Sequence, residues 1–249
     1  MTRLNGKVAV VTGGSRGLGK GTVKALAAEG AQVWAVARNE ANLEALANDV
    51  PGVHTLALDV AAPDAPARVF EAAVPEILVL SAGATPHMAP VHEQTWEQFE
   101  TNWDTDVKSV FHFGKAALLT PLPPGSQVVT ISSGAAIGGS FVSGGYAGAK
   151  RTQWFLSEYL QREAKEMKLD IRFVALLPKQ MFRETALGQT ASSGYAARLG
   201  ISQDDFLKRF ENAITPDGFG EGVVSLLLDE DYKEGLGFAI SGAGIEKLN

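Results

Sequence analysis

Three side chains in the middle of the chain have the types and spacing for proton chemistry at a carbonyl or an alcohol: Ser133, Tyr146 and Lys150. Tyr146 and Lys150 stand four residues apart in a segment of helical composition, so they share one helical face. A free tyrosine ionises near pH ~10, too high for a base at neutral pH. A lysine ammonium beside it favours the phenolate and lowers that value. A serine hydroxyl can hold a substrate oxygen, which leaves the tyrosine to move the proton while a hydride passes to or from carbon. Tyr/Lys pairs at this interval are common on helices, so the pair gains meaning only from the elements around it.

The element that would supply a hydride donor is the stretch 7–19, Lys-Val-Ala-Val-Val-Thr-Gly-Gly-Ser-Arg-Gly-Leu-Gly. Residues 8–11 form an apolar, mostly β-branched run, as in a strand buried on both faces of a parallel sheet. Glycines follow at Gly13, Gly14, Gly17 and Gly19, and residues 20–29 have helical composition. A strand, a glycine turn and a helix N-terminus together make an anion site. The backbone turns without a Cβ in the way, and free N–H groups face phosphate oxygens. Gly13, Ser15, Arg16, Gly17, Leu18 and Gly19 are the candidate contacts. The spacing is G-x-x-x-G-x-G rather than G-x-G-x-x-G, and no Gly-Lys-Ser/Thr follows, so this is not a Walker loop.

Cofactor choice is read at the end of the second strand. An acid there suits a ribose 2′-hydroxyl, and an arginine suits a 2′-phosphate. The chain has Val36-Ala37-Arg38-Asn39, with no acid before Glu40. Arg38 and Arg16 converging on one phosphate would make charge-assisted contacts, which predicts NADP(H) rather than NAD(H). Asp59 and Val60, at the end of the third strand, would cover the adenine edge.

Strand and helix patterns alternate from end to end. The expected strands are 8–11, 32–37, 53–58, 76–80, 127–132, 170–177 and 237–241. The expected helices are 20–29, 40–48, 66–73, 96–119, 145–168 and 216–228. Right-handed crossovers then give an α/β fold, a doubly wound parallel sheet with helices on both faces. No linker or composition break divides residues 1–249, so a single domain is expected. The exception to the rhythm is 179–215, with scattered Gly, Ser and Thr and one helix-like run at 203–211; it is expected to be a mobile substrate lid.

The formal net charge of -6 argues against a nucleic-acid partner, and no apolar run is long enough to cross a bilayer. With no cysteine there is no disulfide or thiolate nucleophile, and the four histidines show no metal-ligand pairing. A cytoplasmic protein without metal is the expectation.

In the long helix 96–119, Phe99, Trp103, Val110, Phe113 and Ala117 recur at helical spacing, and Asp106 interrupts this buried stripe. A carboxylate there is costly unless it is paired, hydrogen-bonded or protonated. It either reaches solvent or a backbone N–H at a bend, or it belongs to the site. In the helix 145–168, Phe155, Leu156, Tyr159 and Leu160 form the expected apolar stripe. Trp154 falls off it, as an interface anchor would.

Taken together, Thr12-Gly13-Gly14-Ser15-Arg16-Gly17-Leu18-Gly19, Asp59-Val60, Ala82-Gly83, Ser133, and Tyr146 with Lys150 resemble a short-chain dehydrogenase/reductase over essentially the full length. The thirteen-residue interval from Ser133 to Tyr146 fits that family. The resemblance implies a Rossmann-type subunit and a nicotinamide cofactor. It makes Tyr146 the acid/base, places Lys150 on the nicotinamide ribose and gives Ser133 the substrate. It also implies cofactor contacts from Ser81, Ala82, Gly83 and Pro178, a small-molecule alcohol or carbonyl substrate, and a homodimer or homotetramer built on the two long helices.

Four positions depart from the family pattern. Ser81 replaces an asparagine, Lys179 a glycine after Pro178, Arg183 a threonine, and Asp106 the catalytic asparagine. Lys179, Arg183 and Asp106 support an alternative: a nucleotide-binding protein of this family with little turnover, acting as a cofactor sensor or a partner.

Overall fold

The computed structural model describes residues 2–210 and 213–248. Eight strands form one sheet in the order β3-β2-β1-β4-β5-β6-β7-β8, parallel except at the last pair. The strands are β1 Val8–Thr12, β2 Gln32–Ala37, β3 His54–Ala57, β4 Ile77–Leu80, β5 Ser126–Ile131, β6 Ile171–Pro178, β7 Gly237–Ser241 and β8 Gly244–Lys247. The expected doubly wound Rossmann-type sheet is therefore present. The antiparallel edge strand β8, only four residues long, is an addition the sequence pattern did not suggest.

Helices α1 Gly17–Ala28, α2 Glu40–Asp49 and α3 Ala65–Ala72 follow the first three strands. Strand β1 shows why its run is apolar throughout: Ala9 and Val11 enter the core on one face, and Val10 enters the core on the other. Helices α1 and α10 (Pro216–Leu228) close the first core, through Val23, Leu26, Phe219 and Val223. Helix α5 (Lys108–Leu119) and α3 close the second, through Val69, Val110 and Phe113.

The helix expected over 96–119 is broken. Helix α4 Trp96–Asn102 leads into a π-helical turn, Trp103–Val107, before α5 resumes. Such a bulge re-aims side chains and is frequent at functional sites. Here it turns Trp103 partly outward and buries Asp106 completely, so Trp103 leaves the predicted stripe while Val110, Phe113 and Ala117 keep it.

After β5 comes a short helix, α6 Ala135–Gly138, then the long α7 Gly144–Glu166. Its orientation corrects two expectations. Phe155 and Tyr159 are exposed, not core, and Trp154 is buried inside its own subunit. The Trp154 indole lies against Gly237 of β7, with the Arg151 guanidinium 4.5 Å over its ring. The inward face of α7 is built instead from Ala147, Lys150, Gln153, Ser157, Gln161 and Ala164.

The segment 179–215 also departs from expectation. It holds α8 Ala186–Leu199 in addition to α9 Gln203–Leu207, while positions 211 and 212 lie outside the described residues. Thr185 caps α8 by accepting the Gly188 N–H, and Gly200 ends it in the left-handed region. Small residues hid this helix, because Gly, Ser, Thr and Ala leave little hydrophobic periodicity to read.

Candidate active site

A continuous cavity of about 1150 Å³ opens along the carboxyl ends of the parallel strands. In open sheets of this kind ligands bind where the strand order reverses, here between β1 and β4. The candidate contact and catalytic residues line it: Gly13, Ser15 to Gly19, Arg38, Asp59, Val60, Ser81 to Gly83, Asp106, Ser133, Tyr146, Lys150 and Pro178; Gly14 and Arg183 are not among the lining residues.

The glycine turn is shaped for close approach. Gly13 adopts φ +67°, and a Cβ on Gly19 would stand 2.2 Å from the Gly13 carbonyl oxygen. Arg16 precedes α1 without a side-chain cap, and the first turn of the helix carries no acid. The helix N-terminus is thus left open to an anion in the cavity. Arg16 and Arg38 are exposed on its rim. This cradle fits a phosphate-bearing dinucleotide. Thr12 fastens the next strand to it: its buried hydroxyl accepts the Ser81 and Ala82 N–H groups at 3.1 and 3.3 Å.

At the other end, Ser132 and Ser133 terminate β5 under the first turns of α7. The Ser132 hydroxyl donates to the Lys150 carbonyl at 2.8 Å, which sets the height of α7 over the sheet. Burial pushes the Tyr146 hydroxyl above the ordinary tyrosine pKa; the Lys150 charge and the neighbouring Ser133 hydroxyl oppose this without reversing it. Lys150 is itself buried, which disfavours its charge, but Asp106 overrides that and holds its pKa above the usual lysine value.

Asp106 meets both descriptions open at the sequence level: it sits at a helix irregularity, bonded to a backbone N–H, and it belongs to the site. One carboxylate oxygen accepts the Ala84 N–H at 2.8 Å, and the other lies 3.2 Å from Lys150 Nζ. Asn102 supports the same loop by donating to the Ala84 carbonyl at 2.8 Å. Gln153 was not foreseen, although its place three residues beyond Lys150, on the same helical face, is a usable signal.

Of the other departures, Lys179 reaches across to Glu246 on β8 at 2.6 Å, so its ammonium is paired at the edge strand. Thr185, two residues beyond Arg183, places its methyl 3.4 Å from where a Cβ on Gly17 would stand.

The side of the cavity formed by α8 and α9 is aromatic. Tyr195 stacks on Phe206 with ring centroids 5.4 Å apart, and Phe141 meets Tyr195 edge-on at 5.2 Å. The Tyr195 hydroxyl bonds Ser140 at 2.6 Å, tying α8 to the loop before α7. Among the described residues, no group of three or more His, Cys, Asp or Glu side chains could hold a metal ion, and no helix is long and apolar enough to cross a membrane.

A phosphate cradle at the switch point, with hydroxyls and an ammonium gathered beyond it, defines a nucleotide-dependent oxidoreductase. The family model for short chain dehydrogenase matches residues 7–195, and the chain belongs to that family. It is 31% identical over 193 residues to L-xylulose reductase of Bos taurus, covering 77% of this chain and 78% of that one. It is 30% identical over 131 residues to "Carbonyl reductase [NADPH] 2" of Sus scrofa, covering 52% of this chain and only 54% of the relative. Among solved structures, a 3-ketoacyl-(acyl-carrier-protein) reductase from Brucella melitensis complexed with NADH shares the fold, with a TM-score of 0.79, 22% identity, and coverage of 96% and 98%.

Proposed function

We propose that the protein is an NADP(H)-dependent oxidoreductase that interconverts an alcohol and a ketone or aldehyde, with Tyr146 as acid/base. The observation that carries this reading is the single cavity shared by Ser133, Tyr146, Lys150, the glycine turn, Arg16 and Arg38. A bound nicotinamide supplies or takes the hydride. Ser133 holds the substrate oxygen against Tyr146, whose hydroxyl gives or takes the proton. Arg16 and Arg38 favour the 2′-phosphate, in keeping with the NADPH named for the porcine relative. The stacked aromatic wall suits a substrate with a partly apolar body. Helix α8 then serves as the lid over it.

The alternative of a nucleotide-binding protein with little turnover drew on Lys179, Arg183 and Asp106. Lys179 is paired with Glu246, so that ground weakens.

The association expected of the chain is better assigned to the exposed Phe155 and Tyr159 of α7 and Phe111 of α5 than to Trp154, giving a homodimer or homotetramer. The acidic, cysteine-free composition suits the cytoplasm.

The test is to measure NADPH and NADH affinity by calorimetry, alongside turnover of a panel of small carbonyls. NADPH is expected to bind much more tightly. Arg38→Ala should lose about 1.5–3 kcal/mol, roughly ten- to a hundredfold, for NADPH alone. Equal binding of the two cofactors by the wild type overturns the NADP assignment.

A further inference from the structure

The Lys150 ammonium makes two hydrogen bonds and one ion-pair contact within the chain. One hydrogen bond goes to the Ile131 carbonyl at 3.2 Å and one to Gln153 Oε1 at 3.0 Å. The ion-pair contact is with Asp106 Oδ2 at 3.2 Å, an oxygen on which no hydrogen-bond donor is aligned. Gln153 completes a ring: its Nε2 donates to the Asp106 backbone carbonyl at 2.8 Å. One carboxamide thus joins the lysine to the main chain of the π-helical turn. Asp106 and Gln153 are 0% and 1% exposed, and both stay in place because each has partners. Gly83 leaves the room required, since a Cβ there would stand 3.0 Å from Asp106 Oδ2.

We propose that Asp106 and Gln153 act as positioning residues that cage the Lys150 ammonium, so that Tyr146 remains a proton donor and the site is set for carbonyl reduction rather than alcohol oxidation near neutral pH. The proposal rests on the reading of Tyr146 as the acid/base. In the reduction, the carbonyl carbon takes a hydride from the reduced nicotinamide as its π bond opens toward oxygen. That oxygen takes the Tyr146 proton. Alcohol, oxidised nicotinamide and a Tyr146 phenolate result, and the phenolate recovers a proton from water. Oxidation needs the phenolate at the outset.

The groups acting on the Tyr146 hydroxyl are Lys150 of α7, Ser133 after β5, Asp106 of the π-helical turn and Tyr195 of α8. Lys150 favours the phenolate, but the Asp106 charge beside it opposes that, and burial adds to the opposition. The other charged side chains of the cavity, Arg16, Arg38 and Asp59 at one end and Lys179, Glu184 and Arg209 at the other, are not among them.

The test needs neither cofactor nor substrate. The full chain, labelled with [13Cζ]tyrosine, is titrated by NMR, and the Tyr146 resonance is assigned by its loss in Tyr146→Phe. In the wild type, Tyr146 should ionise above the ordinary tyrosine value of ~10. In Asp106→Asn, which keeps an acceptor for the Ala84 N–H, the Tyr146 midpoint should fall by about one pH unit or more, tenfold in ionisation. Gln153→Met, of similar volume, should lower it by a smaller amount and serves as the second variant if Asp106→Asn does not fold. With any carbonyl turned over from an NADPH panel, kcat/KM for reduction should stay flat to high pH in the wild type. It should begin to fall at lower pH in both variants. A wild-type Tyr146 midpoint below the ordinary tyrosine value of ~10, or one unmoved in the folded variants, overturns the cage. An absence of turnover with every carbonyl would instead overturn the reductase reading and leave the titration result standing.

Discussion

Helix α7 has two faces that break opposite rules. The inward face is polar and buried: Lys150, Gln153, Ser157 and Gln161 lie under the sheet and site. The outward face carries Phe155 and Tyr159, 59% and 51% exposed. Burial of the polar face is tolerated because each group is bonded. Ser157 donates to the Gln153 carbonyl at 3.2 Å; Gln161 donates to the Ile171 carbonyl at 3.2 Å and accepts the Phe173 N–H at 2.7 Å. Gln161 therefore stitches α7 to β6 as a strand neighbour would. A buried polar group that is fully paired costs little, whereas breaking one partner exposes the whole desolvation penalty. The inward face holds geometry, and the outward face is available to a second molecule.

This contrast predicts a falling series of effects along one helix. Tyr146→Phe, at the site end, should cost about 10²- to 10⁴-fold in turnover while leaving cofactor affinity nearly intact, since only the proton-carrying hydroxyl is lost. Steady-state kinetics with parallel calorimetry checks this, and substantial residual turnover would move the acid/base role elsewhere.

Trp154→Ala should destabilise the folded chain by about 3–5 kcal/mol in chemical denaturation. Trp154→Phe should cost far less, because the buried Nε1 has no hydrogen-bond partner to lose. If Trp154→Ala instead only dissociates an oligomer, the side chain is an interface anchor after all.

Gln161→Leu should cost about 1–3 kcal/mol, by leaving the Phe173 N–H and the Ile171 carbonyl unpaired. A neutral result would mean that the inward polar groups are replaceable by apolar ones and that the contrast between the faces is shallow.

The paired change Phe155→Ser with Tyr159→Ser should alter subunit stability by no more than about 0.5 kcal/mol. Its effect should appear in light scattering, as a smaller mass than the wild type at micromolar concentration. A wild-type monomer would sink the oligomer proposal, and a large stability loss would show that the outward face is packed.

The sequence by itself determined the seven parallel strands, the glycine turn and the adjacency of Tyr146 and Lys150. β1 is apolar on both faces because both are covered. Gly13 and Gly19 must be glycine because one turns through positive φ and the other approaches a carbonyl. Tyr146 and Lys150 meet because helical spacing is local. These are short-range constraints, written in the residues that obey them. Tertiary structure alone decided the rest. Which face of α7 turns inward depends on partners from β5, β6 and the π-helical turn, ten or more residues away in sequence; of the expected stripe, Leu156 and Leu160 pack against the core while Phe155 and Tyr159 do not. Helix α8 escaped notice because its small residues are held by a cap at Thr185 and by the Tyr195 contacts with Ser140 and Phe206, not by an apolar stripe of its own. Asp106 could be singled out as an anomaly from its stripe, but its charge acquires a role only through Lys150 and Gln153, forty-four and forty-seven residues further along the chain. Electrostatic pairing in a dry interior depends on distance in space, and only the fold sets that distance.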